Sequence, residues 1–350
     1  MFKLLTRRNI TIKNALKLLQ NTGKKCLVIV DNEKKLLGTL TDGDLRSSIL
    51  EGVDLNSTIK NIFNPKPKFL FEKKYSQDFL KKYFIKQRLD LIPFVNKDMR
   101  VIRVVTWDQV LGKIIFKKKV NLPVIIMSGG EGSRLMPFTS ILPKPLIPIN
   151  DKAVIQHIID NFVSYGCNNF FVITNFKSKI IQSYFAELKT KYKVKIIKEK
   201  NPLGTVGGLS LLKIKKSPLI ITNCDTLTNF NLQDFYQFHK TNKNDITIAA
   251  SVKNYKIPYG ICEMTVNGEL KNILEKPNYN FLVNIGLYII NKKLLKIIPK
   301  NKYLDFSDIL KIFKSNNKKI GVFPVSENAW LDIGQWEEYK KSSLQLQTKQ

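Results

Sequence analysis

The chain has 350 residues, 43% of them apolar and 25% charged, a composition that excludes disordered and fibrous classes and leaves room for two globular domains. Its formal net charge of +30 raises the question of a nucleic-acid or anionic-membrane partner. Arginine, the residue suited to planar recognition of phosphates and bases, supplies only seven of the 58 basic residues, and the lysines are spread along the whole chain. This argues against nucleic acid and for attraction of small anionic substrates. No apolar run approaches the roughly 20 residues that span a bilayer, and the start, MFKLLTRRN, is too quickly polar for a signal peptide. Cys26, Cys167, Cys224 and Cys262 have neither metal nor redox spacing. A cytoplasmic protein without a membrane partner is expected.

In chain order, Ile12 to Gln20 has helical apolar spacing. Cys26–Val30 and Leu36–Thr41 read as strands around an Asp31-Asn32-Glu33 turn, and a helix begins at Asp42 or Gly43 and runs to Leu50. The same order recurs: helix from Ser76 to Lys86, strand Leu91–Val95, turn at Asn96, strand Arg100–Thr106, short helix Trp107–Leu111. The period is near 65 residues, an internal duplication. Lys117-Lys118-Lys119 reads as a short solvated linker.

A different pattern starts at Val124. The apolar run Val124–Met127 breaks into Ser128-Gly129-Gly130-Glu131-Gly132-Ser133-Arg134. Glycines let a backbone turn sharply and approach a ligand, and successive free N–H groups form an anion-binding concavity. Arg134 adds a forked positive charge, and Lys144 is held between Pro143 and Pro145. Loop, arginine and clamped lysine read as a polyphosphate site. It is neither a Walker A loop nor the dinucleotide fingerprint.

Strands and helices then alternate, the signal for a mostly parallel sheet. Asp151 is expected to cap a helix with the apolar face Val154, Ile155, Ile158, Ile159 and Phe162. Strands follow at Phe170–Thr174, Val194–Lys198 and Leu219–Thr222, with a helix at Lys177–Lys189 and another opening in Leu203–Gly208. Ligands of such sheets bind beyond the carboxyl ends of the strands, where the glycine loop and Asp225 both stand. Past Asp245 the strands alternate in polarity, with Asn267-Gly268 reading as a two-residue hairpin. This half is expected to lie as a lid or acceptor-binding part over the nucleotide half. A terminal helix is expected from Glu337 to Leu346. His157 and His239 receive no role, and no Ser-His-Asp arrangement is visible.

The pattern G-G-x-G-S-R-L-x-P followed by P-K-P-L-x-P resembles the signature of the sugar-1-phosphate nucleotidyltransferases, with Ser133 where that family usually has Thr. The helix–strand–turn–strand–helix unit with G-x-x-T-D-x-D, from Gly38 to Asp44, resembles a CBS domain, and the duplication resembles a CBS pair. The resemblance implies an α/β fold: a Rossmann-like, mostly parallel mixed sheet at 122–346, preceded by a tandem CBS module at 1–119 with copies at about 1–60 and 61–117. It implies a nucleotide site of Ser128, Gly129, Gly130, Gly132, Ser133, Arg134, Lys144, Glu199, Gly204 and Thr205, in which Arg134 and Lys144 clamp the phosphates. Gly204 and Thr205 would meet the base edge through their main chains.

By the same resemblance Asp225 and Asp332 hold Mg2+, with Arg134, Lys144 and Asp225 as the catalytic set, while Gly260, Glu275, Lys276 and Asn284 bind the sugar phosphate. Thr41 and Asp44 would hold an adenosine or guanosine nucleotide at the first CBS copy, or simply cap a helix. The fused arrangement resembles bacterial guanylyltransferases that use glucosamine 1-phosphate or related sugar phosphates for legionaminic-acid-type surface sugars. The implied activity joins an NTP, with GTP first, to a sugar 1-phosphate. Other bases, mannose or glucose 1-phosphate, and a nucleotide-sensing protein without turnover stay open. A homo-oligomer is expected on frequency alone.

Overall fold

Elements recur at a 65-residue spacing through the first part of the computed structural model, which describes residues 2–87, 89–111, 119–325 and 329–334. The expected helix from Glu337 lies outside these residues. Strand β1 (Leu5–Arg7), helix α1 (Ile12–Thr22), strands β2 (Cys26–Val30) and β3 (Leu36–Thr41) and helix α2 (Asp42–Leu50) are followed by β4 (Leu70–Phe71), α3 (Gln77–Gln87), β5 (Leu91–Val95), β6 (Val101–Thr106) and α4 (Trp107–Leu111). Each copy builds the same small sheet: β1 parallel to β2 and β2 antiparallel to β3, then β4, β5 and β6 in the same sense.

The chemistry of the turns repeats with the topology. Asp31 Oδ1 accepts the N–H groups of Glu33 at 2.9 Å and Lys35 at 2.8 Å. Asn96 Oδ1 accepts those of Asp98 at 3.0 Å and Arg100 at 2.9 Å. These side chains mimic a backbone turn. The two turns then interlock: the Leu36 N–H donates to the Met99 carbonyl, and the Val101 N–H to the Lys34 carbonyl, each at 2.9 Å. The first 116 residues form one compact unit and the remainder a second.

In the second unit, β7 (Val124–Ser128) leads to the short α5 (Phe138–Ile141). A two-rung hairpin follows, β8 (Pro148–Ile149) with β9 (Lys152–Ala153), and then α6 (Val154–Val163). The hairpin places Asp151 in its exposed turn, so Asp151 does not cap α6; Ala153 stands at the N-cap with no side-chain bond. The expected apolar face is correct. Val154, Ile155, Ile158, Ile159 and Phe162 are all buried, each stabilising by roughly 1.5–3 kcal/mol relative to exposure.

The chain continues through β10 (Asn169–Thr174), α7 (Ser178–Glu187), β11 (Lys193–Lys198), β12 (Leu219–Asn223), β13 (Thr226–Thr228) and α8 (Leu232–Thr241). It ends in β14 (Ile246–Lys256), β15 (Ile261–Met264), β16 (Leu270–Leu274), β17 (Asn278–Ile290), α9 (Phe306–Ser315), β18 (Ile320–Val325) and β19 (Trp330–Asp332). Among the described residues seven strands form one sheet in the order β11-β10-β7-β12-β17-β14-β18. Only β17 runs against the others. Strand β7 is buried on every residue, as expected for a strand covered on both faces. Val124 and Ile126 face a core with α6 and Phe235, while Ile125 and Met127 face one with Leu209, Ile309 and Phe313.

Two expectations change here. The segment past Asp245 is not a separate layer, because β14, β17 and β18 continue the same sheet. What stands apart is the β15–β16 hairpin, together with the outer ends of β14 and β17, where Tyr255 pairs with Tyr279. Its turn is not the two-residue kind. Thr265 N–H bonds the Glu269 carbonyl at 2.9 Å, leaving three loop residues, and only Gly268 has a positive φ, 84°. That is a turn closed by a left-handed glycine, the usual three-residue solution, whereas the two-residue turn needs Asn267 left-handed as well.

Beneath β14, His239 is buried and its Nδ1 lies 2.8 Å from Thr247 Oγ1. Burial holds this imidazole below its ordinary value of 6.5. Above that value both folded and unfolded chains keep it neutral. Below it the unfolded chain takes up a proton that the folded one resists, so the stability His239 contributes is lost as pH falls through and below 6.5. Urea unfolding should therefore show a lower midpoint at pH 5.5 than at pH 7.5, and His239→Gln should flatten that difference.

Candidate active site

The glycine loop leaves the carboxyl end of β7, and each glycine answers a different demand. Gly132 has φ 70°, the left-handed region in which glycine pays no Cβ penalty. Beneath it, Thr139 Oγ1 donates to the Gly132 carbonyl at 3.0 Å, and the Thr139 carbonyl accepts from Lys177 Nζ at 2.9 Å. A Cβ at Gly129 would lie 2.9 Å from Glu199 Oε2, whereas one at Gly130 would meet nothing within 4 Å. Gly129 is thus packed from below, and Gly130 is open to whatever occupies the loop. Ser133 and Arg134 follow on an exposed turn of 3-10 helix, and Arg134 is close enough for its charge to act on Asp332. Ser128 is the exception in this segment. It is buried at the end of β7, and its Oγ has no hydrogen-bond partner among the described residues.

Lys144, Asp225 and Asp332 converge. Lys144 Nζ pairs directly with Asp225 Oδ2, both side chains largely buried. Asp225 follows the end of β12, the strand beside β7. Asp332 is carried there by the β13–β19 ladder, in which it is the partner of Thr226, and the Ile333 N–H donates to the Asp225 carbonyl at 3.0 Å. Asp332 Oδ1 accepts the Gly334 N–H at 2.8 Å. Burial works against the Lys144 ammonium, but the charge and hydrogen bond of Asp225 outweigh it and hold Lys144 above the ordinary lysine range. Burial, then the charge of Asp225, pushes Asp332 above the ordinary carboxylate range. Cys224 is driven up to about 12, first by burial and then by Asp225, and is an inert thiol in the wall.

Two carboxylates brought together at a strand end are a donor set for a hard divalent cation, which commonly takes one or two carboxylates and completes its sphere with substrate phosphate and water. A Cβ at Gly334 would lie 2.8 Å from Asp332 Oδ1, 2.9 Å from Asp225 Oδ2 and 3.0 Å from Lys144 Nζ. The charged atoms therefore face a common cradle that a side chain would fill, and the residues fit such an ion. Among the described residues no cluster of three or more His, Cys, Asp or Glu offers a competing all-protein site.

Glu199 is 2% exposed. It sits between Gly129 and Gly208, and Oε1 has no hydrogen-bond partner. Burial pushes its carboxyl up to about 7 against the hydrogen bond from the Leu203 N–H. Of the main-chain groups expected to meet the base edge, the Thr205 N–H has a partner within the protein. Gly204, at φ 77°, lies against the Leu304 carbonyl, and the Thr205 N–H donates to Asp305 Oδ1 at 3.3 Å while Thr205 Oγ1 accepts the Phe306 N–H at 3.0 Å. This segment ties the wall of the site to the start of α9.

The expected acceptor residues divide. Gly260, Glu275 and Lys276 stand together: a Cβ at Gly260 would lie 3.0 Å from Glu275 Oε2, and Glu275 pairs with Lys276 at 3.5 Å, both exposed. Asn284 belongs with the strand ends. It donates to the Tyr288 hydroxyl at 2.7 Å and accepts the Gly286 N–H at 3.0 Å, and Gly286 packs on Asn223. In the first unit Thr41 and Asp44 form a reciprocal capping box: the Thr41 N–H and Oγ1 donate to Asp44 Oδ2 at 2.7 and 2.8 Å, and the Asp44 N–H donates to Thr41 Oγ1 at 3.1 Å. At the matching place in the second copy the Thr106 N–H donates to Gln109 Oε1 at 2.9 Å. The capping role is therefore realised. Two residues went unassigned in the sequence, Asn223 and Gly334; the only signal for Gly334 was its place two residues after Asp332.

The family model described as nucleotidyl transferase matches residues 123–349, and a CBS domain model matches residues 6–51. The mannose-1-phosphate guanylyltransferase 1 of Arabidopsis thaliana is 28% identical over 229 residues, 62% of this chain and 63% of that protein. The mannose-1-phosphate guanyltransferase of Pichia angusta is 28% identical over 226 residues, 61% of each. The chain thus spans about three fifths of the length of these curated relatives. The crystal structure of HddC from Yersinia pseudotuberculosis complexed with GMP-PN is 25% identical and superposes with a TM-score of 0.51, covering 64% of this chain and 99% of that one.

The buried Glu199 yields a prediction. Its carboxyl value in the fold lies above the ordinary 4.5, so its stabilising contribution is fully present below 4.5 and is lost as pH rises through about 7. Glu199→Gln should raise the melting temperature at pH 8, and the gain should vanish by pH 4.5.

Proposed function

The chain belongs to the nucleotidyl transferase family, and from that premise we propose that it transfers GMP from GTP to a sugar 1-phosphate, releasing pyrophosphate. The observation that carries this reading is the meeting of Lys144, Asp225 and Asp332 beside the glycine loop, at the carboxyl ends of β7 and β12. In the reaction a phosphate oxygen of the sugar 1-phosphate attacks the α-phosphorus of GTP in line. A new oxygen–phosphorus bond forms, the bond from the α-phosphorus to the bridging oxygen breaks, and its electron pair leaves with pyrophosphate. Such transfer asks the protein for positioning and charge neutralisation rather than for covalent chemistry.

The roles follow from placement. The backbone of Gly129, Gly130 and Gly132, with Ser133, cradles the phosphates, and Arg134 meets the leaving pair. Lys144 reaches the α-phosphate once it leaves Asp225. Asp225 and Asp332 would hold Mg2+, which when bound neutralises phosphate charge. Glu199, packed against Gly129 and Gly208, braces the loop that holds the nucleotide. The names of the relatives and the GMP-PN complex of HddC support guanine as the base.

Glu275 and Lys276, exposed at the β15–β16 hairpin, would receive the sugar phosphate, with Gly260 giving Glu275 room. For the acceptor we take glucosamine 1-phosphate or a related hexose phosphate, for legionaminic-acid-type surface sugars, on the strength of the fused N-terminal CBS domain. Mannose 1-phosphate, named in the curated relatives, is the competing choice. A regulatory nucleotide at Thr41 and Asp44 would have to open their capping box, so turnover titrated with AMP, ATP or GTP should respond in the wild type and not in Asp44→Ala.

Pyrophosphate release measured over four NTPs and a panel of sugar phosphates tests the reading, with GTP and a hexosamine 1-phosphate expected to give the highest rate. Asp225→Asn should lower turnover about a hundredfold or more with an unchanged circular-dichroism spectrum. Nucleotide binding without pyrophosphate release for every pair would reject transfer in favour of a binding protein.

A further inference from the structure

Gly334 is a glycine without a backbone reason. Its φ lies outside the left-handed region that marks Gly132, Gly204 and Gly286, so no left-handed turn calls for a glycine there. Its N–H donates to Asp332 Oδ1, a bond that any residue but proline would make. What glycine alone supplies there is space, and that space is bounded by charged atoms from three separate places in the chain. Asp332 Oδ1, Asp225 Oδ2 and Lys144 Nζ all lie between 2.8 and 3.0 Å from the position a Cβ would take. Ordinary carbon contacts are longer, so a methyl group would force these atoms apart.

The charges around the space set a second condition. Two partly buried carboxylates repel unless a cation lies with them. In the free protein that cation is the Lys144 ammonium, paired with Asp225. A divalent ion between the same carboxylates would repel the ammonium and compete for the same oxygen. We propose that the missing side chain at Gly334 creates the pocket shared in turn by the Lys144 ammonium and a divalent cation, making Gly334 the positioning residue for that cation. The proposal rests on the nucleotidyl-transfer reading. It adds that Lys144 closes the pocket in the free protein, and that cation entry frees Lys144 to turn to the nucleotide.

Mn2+ titration of the full-length protein, followed by electron paramagnetic resonance with and without a non-hydrolysable GTP analogue, tests it. Gly334→Ala should weaken Mn2+ binding about tenfold or more while keeping the circular-dichroism spectrum of the wild type. Lys144→Ala removes atoms and cannot overpack the site, and it should bind Mn2+ more tightly than wild type when no nucleotide is present. Gly334→Ala binding Mn2+ as wild type does, or Lys144→Ala binding it more weakly without nucleotide, overturns the inference. If Gly334→Ala does not fold, the Lys144→Ala comparison decides alone. Wild-type protein that neither binds Mn2+ nor releases pyrophosphate rejects the nucleotidyl-transfer reading itself. Wild-type turnover with an unaffected Gly334→Ala rejects only the pocket.

Discussion

Lys144, Asp225 and Asp332 form a charge arrangement that the fold must keep together at some cost. Taking carboxylates out of water is unfavourable, and placing two of them side by side adds repulsion. The ammonium offsets both, which is why Lys144 is held protonated although burial works the other way. The surroundings serve this meeting. The 143–146 segment presents the lysine, β12 ends two residues before the first aspartate, and a small ladder outside the main sheet returns the second.

The reversed strand β17 makes that return feasible. It inserts between β12 and β14, so the chain crosses the sheet once against the common direction. The long β14 and β17 arms and the β15–β16 hairpin stand on this excursion, and the exposed Glu275 and Lys276 lie at its far part. The apolar cores on the two sheet faces hold the excursion in place; Ile285 and Leu287 pack into one core, Tyr288 and Ile290 into the other. One strand thereby anchors the sheet and carries the outer group.

Local signals made much of this legible in the sequence. The glycine loop, the apolar face of α6 and the 65-residue repeat each announce themselves within a few residues, because turn chemistry and helical periodicity are short-range properties. The repeat was readable even where its residues differ, since Asp31 and Asn96 fold their turns by the same side-chain geometry. Long-range relations were not readable. Whether Thr205 faces a ligand or Asp305 depends on a segment 100 residues away. That the strands past Asp245 join the existing sheet depends on pairing partners. Gly334 looked like any turn glycine until Asp225 and Lys144 stood beside it, and Asn267-Gly268 gave the right turn location but the wrong loop length.

The ladder that delivers Asp332 has three paired positions, Thr226 with Asp332, Leu227 with Leu331 and Thr228 with Trp330. It is a separate two-stranded sheet, not an edge of the large one. It is nonetheless not independent of the rest: Leu227 on one arm and Ile333 just past the other are buried in the core that holds α6, and Thr226 Oγ1 donates to the Ile285 carbonyl of β17 at 3.0 Å. Opening the ladder would therefore expose core side chains and break a tie to the central sheet. The second carboxylate keeps its place for as long as the fold itself holds.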